Sequence, residues 1–558
     1  MSGLWSKGQN ALRGLMNSAL GNPPRHLVAS TNDLQEGQMK EVCIETSGRT
    51  FKVLLSRVDG QFHATTHLCP HYKARLVTGV LSGTKLTCPW HAACFDIRSG
   101  DIEEAPAVEA LRTFPVIVED ESVYVVASME DFEAGPRKAC SAVTTDNKKV
   151  YVIVGGGAAG AVAAESIRKT GFKGRVVIVS QETYLAIDRI KLSKFLTANP
   201  ENIQLYKSTY YSDLKLEYWL GKTVTTVNVQ TNEVIMDDGG RLAYDKLLLA
   251  TGGEPTRIPV SGANLSNVFV IRTIKANRGI LEVMEKYPKP KVVVIGANFM
   301  GMETAAMMSK ASESVTIVAP ETVPLERIFG KDVGQVLQLL HERNGVQFRL
   351  GMGVKTIHSR DNMAISVELS DGSILEANLV IMATGVRPQT DCVKDVLELR
   401  PDGSIAVDQN LKVLGTDNIY AAGDIATFPH RLTRTPTRIE HWNVAQQQGR
   451  IAGHNMVSKT PRKYDSVPFF FSVLFGKSVR YAGDVHMGYD AVHFEGDKQA
   501  DPPVFAAYYI KDEQISAVAT MGRDPLAVHC SELLRLGRMP SAASIRAGKV
   551  EIGYFLIL

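Results

Sequence analysis

The chain has 558 residues, 44% apolar and 22% charged, with a formal net charge of +3. That length buries several cores rather than one, and with no run of 18 apolar residues the sequence excludes a transmembrane helix, the terminal FLIL being far too short. Seven widely spaced cysteines behind no secretory signal exclude a secreted disulfide scaffold and point to a reducing intracellular compartment, mitochondrial or cytoplasmic.

Charge is uneven. Residues 1–32 carry three basic and no acidic side chains, residues 33–133 sum to −7, and the remainder is +7. This split suggests two modules docking through their charge more than it suggests nucleic acid, whose binders cluster basic residues.

In chain order, residues 1–26 place Leu4, Trp5, Leu12, Leu15, Met16 and Leu20 at helical spacing with Lys7 and Arg13, then break at Pro23 and Pro24. Either an amphipathic targeting leader or a frayed anchor helix fits. From 27 to 128 short runs such as FKVLL, KLTC, PVIV and VYVVA indicate a small all-β domain. Two boxes carry its chemistry: Cys69-Pro70-His71 and, sixteen residues on, Cys88-Pro89-Trp90-His91. Two thiolates and two imidazoles suit one structural zinc, or a Rieske [2Fe–2S] cluster with the cysteines on one iron and the histidines on the other.

The Cys-Pro pairs, the β insertion between the boxes and the following AxxFD (Ala92–Asp96) resemble Rieske ferredoxin-type domains, which implies that Cys69, His71, Cys88 and His91 ligate the cluster. Ala74 and Trp90 stand where high-potential relatives form a disulfide, so the resemblance is to the lower-potential type. Ala92 replaces a glycine common after the second histidine, and Cys94 reads as a small hydrophobe. Residues 129–148 lack periodicity and read as a linker.

VYVIVGGGAAG (Val150–Gly160) then reads strand, turn, helix. Gly155, Gly157 and Gly160 match GxGxxG, which sets a pyrophosphate on a helix N-terminus. Gln181 occupies the usual ribose-binding acid position at the end of the next strand, and Glu182 follows as a substitute. About 140 residues on, KVVVIGANFMGME (Lys291–Glu303) repeats the turn, with Gly296 and Gly301 outside and Asn298 at the middle position, where its side chain is expected to crowd a pyrophosphate.

Two such turns, followed by VIMATGVRP and DNIYAAGDIA and preceded by LLLATGG, resemble the two-dinucleotide flavoprotein reductases. DRIKLSK, RIEHWNVAQQQG and VPFFFS narrow the resemblance to oxygenase-coupled ferredoxin reductases and apoptosis-inducing-factor-like proteins, in the form that carries a Rieske domain. By this resemblance Thr251, Gly252, Glu182, Arg189, Lys194 and Asp424 contact FAD. Lys194 pairs with Glu303 near the flavin, and Glu440, His441 and Phe471 line its ring system. The absence of CxxC excludes a disulfide shuttle.

The fold class expected is multidomain: an all-β Rieske domain, an α/β FAD-binding domain (149–275 and 376–460), an α/β NAD(P)H domain (276–375) and an α+β C-terminal domain (461–558). The implied function is electron transfer from NAD(P)H through FAD to the Rieske cluster and on to an acceptor, with a link to cell death. A redox-sensing scaffold with little turnover is the alternative. NADH is the expected donor, because 319–325 offers Glu321 and no basic residue for a 2′-phosphate. The partners expected are NAD(P)H and an electron acceptor, with no nucleic acid; a homodimer is an allowed assembly.

Overall fold

The computed structural model describes residues 23–553 except 139, 141–145, 198, 432, 549 and 551. The leader expected over 1–26 therefore lies outside the described residues up to 22.

The N-terminal module is all β. Arg25–Ser30, Ser122–Val126 and Val116–Glu119 form one sheet, and Met39–Thr46, Arg49–Val58, Gln61–Thr66 and Thr113–Phe114 form a second. Their alternating apolar residues meet in a core that includes Leu34, Val53, Leu55, Val123 and Val125. A third sheet, Val80–Ser82, Lys85–Thr87, Cys94–Asp96 and Ile102–Glu104, carries the cysteine boxes on the loops around it.

Two parallel sheets follow. In the first, Leu216–Leu220, Arg175–Ser180, Val150–Val154, Lys246–Leu249 and Ile419–Ala421 lie side by side in that order. In the second the order is Val268–Phe269, Leu379–Met382, Lys291–Ile295, Ser314–Ala319 and Val346–Leu350. Their inner strands are buried on both faces, which is why these read as continuous Val/Ile/Leu runs, whereas the edge strand Val346–Leu350 (VQFRL) alternates. Val268–Phe269 and Leu379–Met382 thus lie in the second sheet, outside the 276–375 span expected for the NAD(P)H module. A parallel sheet is completed by crossovers from flanking sequence, and the motif VIMATG does not reveal which sheet its strand joins.

The helix Trp442–Val457 crosses the helix Ala158–Lys169 at close range: a Cβ on Gly449 or Gly453 would lie 2.2 Å from Ala159 O or 2.4 Å from Ala163 O. The C-terminal unit is an antiparallel sheet, ordered Phe469–Leu474, Lys477–Gly483, Gln514–Met521, Phe505–Lys511 and Ala491–Gly496, backed by the helix Leu526–Leu536.

The Rieske module packs directly on this flavoprotein body. Val80 and Ala92 join Phe469, Ala482, Ala527 and Val528 in one apolar cluster. Asn443 donates to His91 O (3.3 Å), Arg480 Nε to Trp90 O (2.8 Å) and Gln447 Nε2 to Glu103 O (3.0 Å), while Gln447 Oε1 accepts from Ala105 N (3.3 Å). Ion pairs between the modules are peripheral, such as Lys169 with Asp101 (3.4 Å), while Glu104 faces Glu532 and Arg535 at longer range. Docking through the charge split is corrected accordingly: Asp33, Glu36, Glu119, Asp120 and Glu121 are exposed, and the buried contact is apolar and hydrogen-bonded. The segment read as a linker is in part structured, with a helix Met129–Glu133 capped by Ser128 and a strand Arg137–Lys138 paired with Glu109–Ala110.

Candidate functional site

The two cysteine boxes fold as matching turns. Cys69 N donates to Ala74 O (2.8 Å) and Cys88 N to Ala93 O (2.8 Å), and the fifth residue of each turn, Lys73 or Ala92, takes a left-handed φ of 61° or 59°. The turn therefore forms with alanine where a glycine was expected, at a conformational cost of about 1 kcal/mol.

Cys69 and Cys88 are buried and share a hydrogen bond, which raises the Cys69 thiol and lowers that of Cys88. The His71 and His91 rings lie 4.9 Å apart, centroid to centroid. Both Nδ1 atoms are buried without a hydrogen-bond partner. Burial holds the imidazoles neutral, His71 lowered to about 4 and His91 to about 2, so each offers a lone pair. No three of these four donors fall within 4.8 Å of one another. A sulfur pair set apart from a nitrogen pair suits two irons rather than one zinc.

Behind these loops lies a cavity of about 420 Å³ that runs from the first glycine turn to the C-terminal sheet. Gly155 and Gly157 line it, at the end of Val150–Val154 and at the N-cap of Ala158–Lys169. A Cβ on Gly155 would lie 2.1 Å from Ala250 O, and one on Gly160 would lie 2.0 Å from Gly155 O, so the turn closes only with glycine there. The free N–H groups of the helix end face the cavity and could hold a pyrophosphate.

Glu182, Arg189, Thr251, Gly252, Asp424, Glu440, His441, Phe471 and Glu303 also line the cavity. Glu182 accepts from Arg189 (2.8 Å), whose other amino group donates to Arg272 O (2.7 Å). Asp424 accepts from Gly253 N (3.2 Å) and lies 3.4 Å from Arg272. Burial raises the Glu440 carboxyl, against the opposing pull of Arg438. Burial also lowers His441 to about 4, and its Nδ1 caps the helix Trp442–Val457 by accepting from Asn443 N.

Lys194 Nζ lies 2.9 Å from Glu303, whose two carboxylate oxygens accept from Ser193 Oγ (2.5 Å) and Ser472 Oγ (2.7 Å). Ser193 and Ser472 lie within DRIKLSK and VPFFFS, whereas Arg272 and Gln389, which accepts from Thr251 Oγ1 through its carbonyl, belong to the site but to no motif. Only their position between recognised segments could have signalled them. The second glycine turn repeats the first: Cβ atoms on Gly296 and Gly301 would lie 2.1 Å from Ala383 O and 1.9 Å from Gly296 O. Asn298 does not crowd it. Its amide folds back, Oδ1 accepting from Gly301 N (3.1 Å) and Nδ2 donating to Ala383 O (2.7 Å), so it caps the helix Phe299–Met308.

Phe471 joins the two halves. It lines the cavity on one side, and on the other its ring meets that of His91 with centroids 3.9 Å apart.

Residues 25–115 match the Rieske [2Fe–2S] domain, and 149–449 match the family described as pyridine nucleotide-disulphide oxidoreductase. Fold and site thus define an NAD(P)H-dependent FAD oxidoreductase that carries a Rieske [2Fe–2S] domain of its own. The chain belongs to the pyridine nucleotide-disulphide oxidoreductase family. It is 36% identical to apoptosis-inducing factor 3 of Homo sapiens over 94% of this chain and 85% of the human protein. Rhodocoxin reductase of Rhodococcus erythropolis is 32% identical over 60% of this chain and 77% of its own. The covalent putidaredoxin reductase–putidaredoxin complex superposes with a TM-score of 0.69 at 27% identity, covering 74% of this chain and 99% of that one. Among the described residues no helix is long and apolar enough to cross a membrane.

Proposed function

We propose that the chain moves electrons from NAD(P)H, through FAD in the cavity, to a [2Fe–2S] cluster on Cys69, Cys88, His71 and His91, and from there to an acceptor outside the chain. The observation that carries this reading is Phe471, a single ring shared by the cavity wall and a cluster ligand. When bound, FAD accepts a hydride from reduced nicotinamide and releases electrons singly, as an iron–sulfur centre requires.

The chain's residues serve this by position. The N-terminus of Ala158–Lys169 and Arg189 hold the negative groups of the dinucleotide, and Asp424 takes its hydroxyls. The Ser193 and Ser472 hydroxyls hold Glu303, which fixes the Lys194 cation beside the cavity. There Lys194 would set the flavin's electrostatics rather than trade protons with substrate. An electron-carrier partner is proposed from the reductase relatives. A mitochondrial or cytoplasmic setting, a homodimer and a link to cell death rest on family likeness and are proposed with it.

NADH remains the proposed donor, with one change of reasoning. Arg327 lies 3.2 Å from Glu321, so a guanidinium does stand beside the end of Ser314–Ala319, neutralised by that carboxylate. Glu321→Gln should free it and shift kcat/KM towards NADPH several-fold; an unchanged ratio would remove Glu321 from the account. The reading as a whole is tested by NADH-dependent reduction of a one-electron acceptor in wild type and Cys88→Ser. Cluster-free variant protein that reduces a protein acceptor as fast as wild type would refute it.

A further inference from the structure

Away from the cavity, His430 follows the strand Ala426–Pro429, while Asp484 and His486 follow the strand Lys477–Gly483 of the C-terminal sheet. One donor atom from each lies within 4.8 Å of the other two. His430 Nε2 is 3.4 Å and His486 Nδ1 2.7 Å from Asp484 Oδ2, with the two rings 4.5 Å apart between centroids. We propose that these three side chains form a second metal site, for a divalent transition cation of the zinc type, that ties the FAD-binding body to the C-terminal sheet.

The ordinary alternative is a hydrogen-bonded His–Asp–His hub, and the geometry disfavours it. Asp484 Oδ2 is buried and has no hydrogen-bond partner, because neither nearby imidazole aims an N–H at it. Buried carboxylate oxygens are rarely left so. Close approach without donation is how ligand atoms look when they converge on a common point. Two ligands on a tetrahedral zinc at about 2.0 Å stand about 3.3 Å apart, close to the 3.4 Å of the His430–Asp484 pair. The His486 pair needs to open by roughly half an ångström to reach that spacing, and His486 sits on an exposed turn.

The outer nitrogens are held as metal-binding imidazoles usually are. His430 Nδ1 lies 3.1 Å from Thr433 Oγ1, and His486 Nε2 lies 2.9 Å from Thr435 Oγ1. The two hydroxyls are hydrogen-bonded to each other at 2.7 Å. Thr433 N donates to His430 Nδ1 at 3.3 Å, so ligation through Nε2 requires the ring to exchange that bond for donation from Nδ1 to the Thr433 hydroxyl. Asp484 is oriented by accepting the backbone N–H of His486 at Oδ1 (2.7 Å). The cation nearest in sequence, Arg431, is turned away, donating to Leu534 O and Arg535 O (3.0 and 3.1 Å). Two nitrogens and one carboxylate oxygen are a borderline-soft set, suited to zinc rather than to magnesium or calcium, and leave a fourth position for water.

The test uses protein whose flavin and iron contents have been verified, so that zinc cannot enter the Rieske ligands. After dialysis against a chelator, zinc chloride is titrated calorimetrically into wild type, His486→Ala, Asp484→Asn and the control His358→Ala. His358 is a partly exposed imidazole paired with Glu368. One equivalent should bind to wild type and to the control, at least tenfold more weakly to His486→Ala and Asp484→Asn, and should raise the melting temperature of wild type but not of His486→Ala. Absence of zinc binding by wild type, or equal binding by His486→Ala, would overturn the proposal; the exposed His486 turn keeps that variant folded should Asp484→Asn fail.

Discussion

Raising ionic strength should leave electron transfer between flavin and cluster nearly unchanged. The ion pairs that reach from the Rieske module and its trailing segment to the flavoprotein body include Lys169–Asp101 and Lys138–Asp213, with side chains 32–54% exposed. Such pairs contribute about 0.2–1 kcal/mol each, and shortening the Debye length from about 10 Å at 0.1 M to about 3 Å at 1 M removes most of it. Against that loss of at most about 2 kcal/mol stand contacts that salt does not screen. The hydrogen bonds of Asn443, Arg480 and Gln447 supply about 0.5–1.5 kcal/mol apiece, and the apolar cluster of Val80, Ala92, Phe469, Ala482, Ala527 and Val528 adds to them. The docked arrangement therefore stays dominant. In stopped-flow mixing with NADH, the rate of cluster reduction after flavin reduction should fall less than about twofold between about 0.05 and 1 M salt. Gln447→Ala, which removes two of the four bonds, should make that rate salt-sensitive. A tenfold fall with salt in wild type would refute the reasoning and return the two modules to reversible, charge-steered encounter.

Two further outcomes follow from local geometry. Lys73 is exposed with φ 61°, so Lys73→Gly should stabilise the Rieske module by about 1 kcal/mol, whereas Ala92→Gly should gain less because its methyl group packs in the apolar cluster; denaturant midpoints compare them, and destabilisation by Lys73→Gly would contradict the strained turn. His441 is lowered to about 4, so the unfolded chain takes up a proton near its ordinary pKa while the folded chain refuses it. Stability of FAD-free protein should then fall as pH drops from about 6.5 towards 4, by on the order of 1 to 2 kcal/mol given the ring's partial exposure. His441→Asn, which can still cap Trp442–Val457, should flatten that slope; an unaltered slope would assign it to other groups.

What the sequence showed and hid divides along physical lines. The glycines at 155, 160, 296 and 301 were legible because each meets a backbone oxygen at a distance no side chain tolerates, a constraint that forces one residue type. The cysteine and histidine boxes stood out because few side chains can ligate a metal, and their two turns fold alike. Asn298 was misread because a residue type does not say whether its amide turns outward or folds back as a cap. The interface was hidden because Asn443, Gln447 and Arg480 meet the Rieske loops across more than 300 residues of chain, with no local pattern to announce it. Net charge misled in turn, because it counts exposed carboxylates such as Glu119 and Glu121 that face away from the contact.

The central claim is that one chain passes electrons from a dinucleotide through flavin to its own Rieske cluster. Anaerobic addition of one equivalent of NADH to fully loaded protein, followed by rapid freezing and electron paramagnetic resonance, tests it most directly. The account predicts that the signal of a reduced Rieske cluster grows in within turnover time, after the flavin bleaches, and to the same yield at any protein concentration. A flavin that stays reduced beside an oxidised cluster, or a cluster signal whose rate scales with protein concentration, would contradict it.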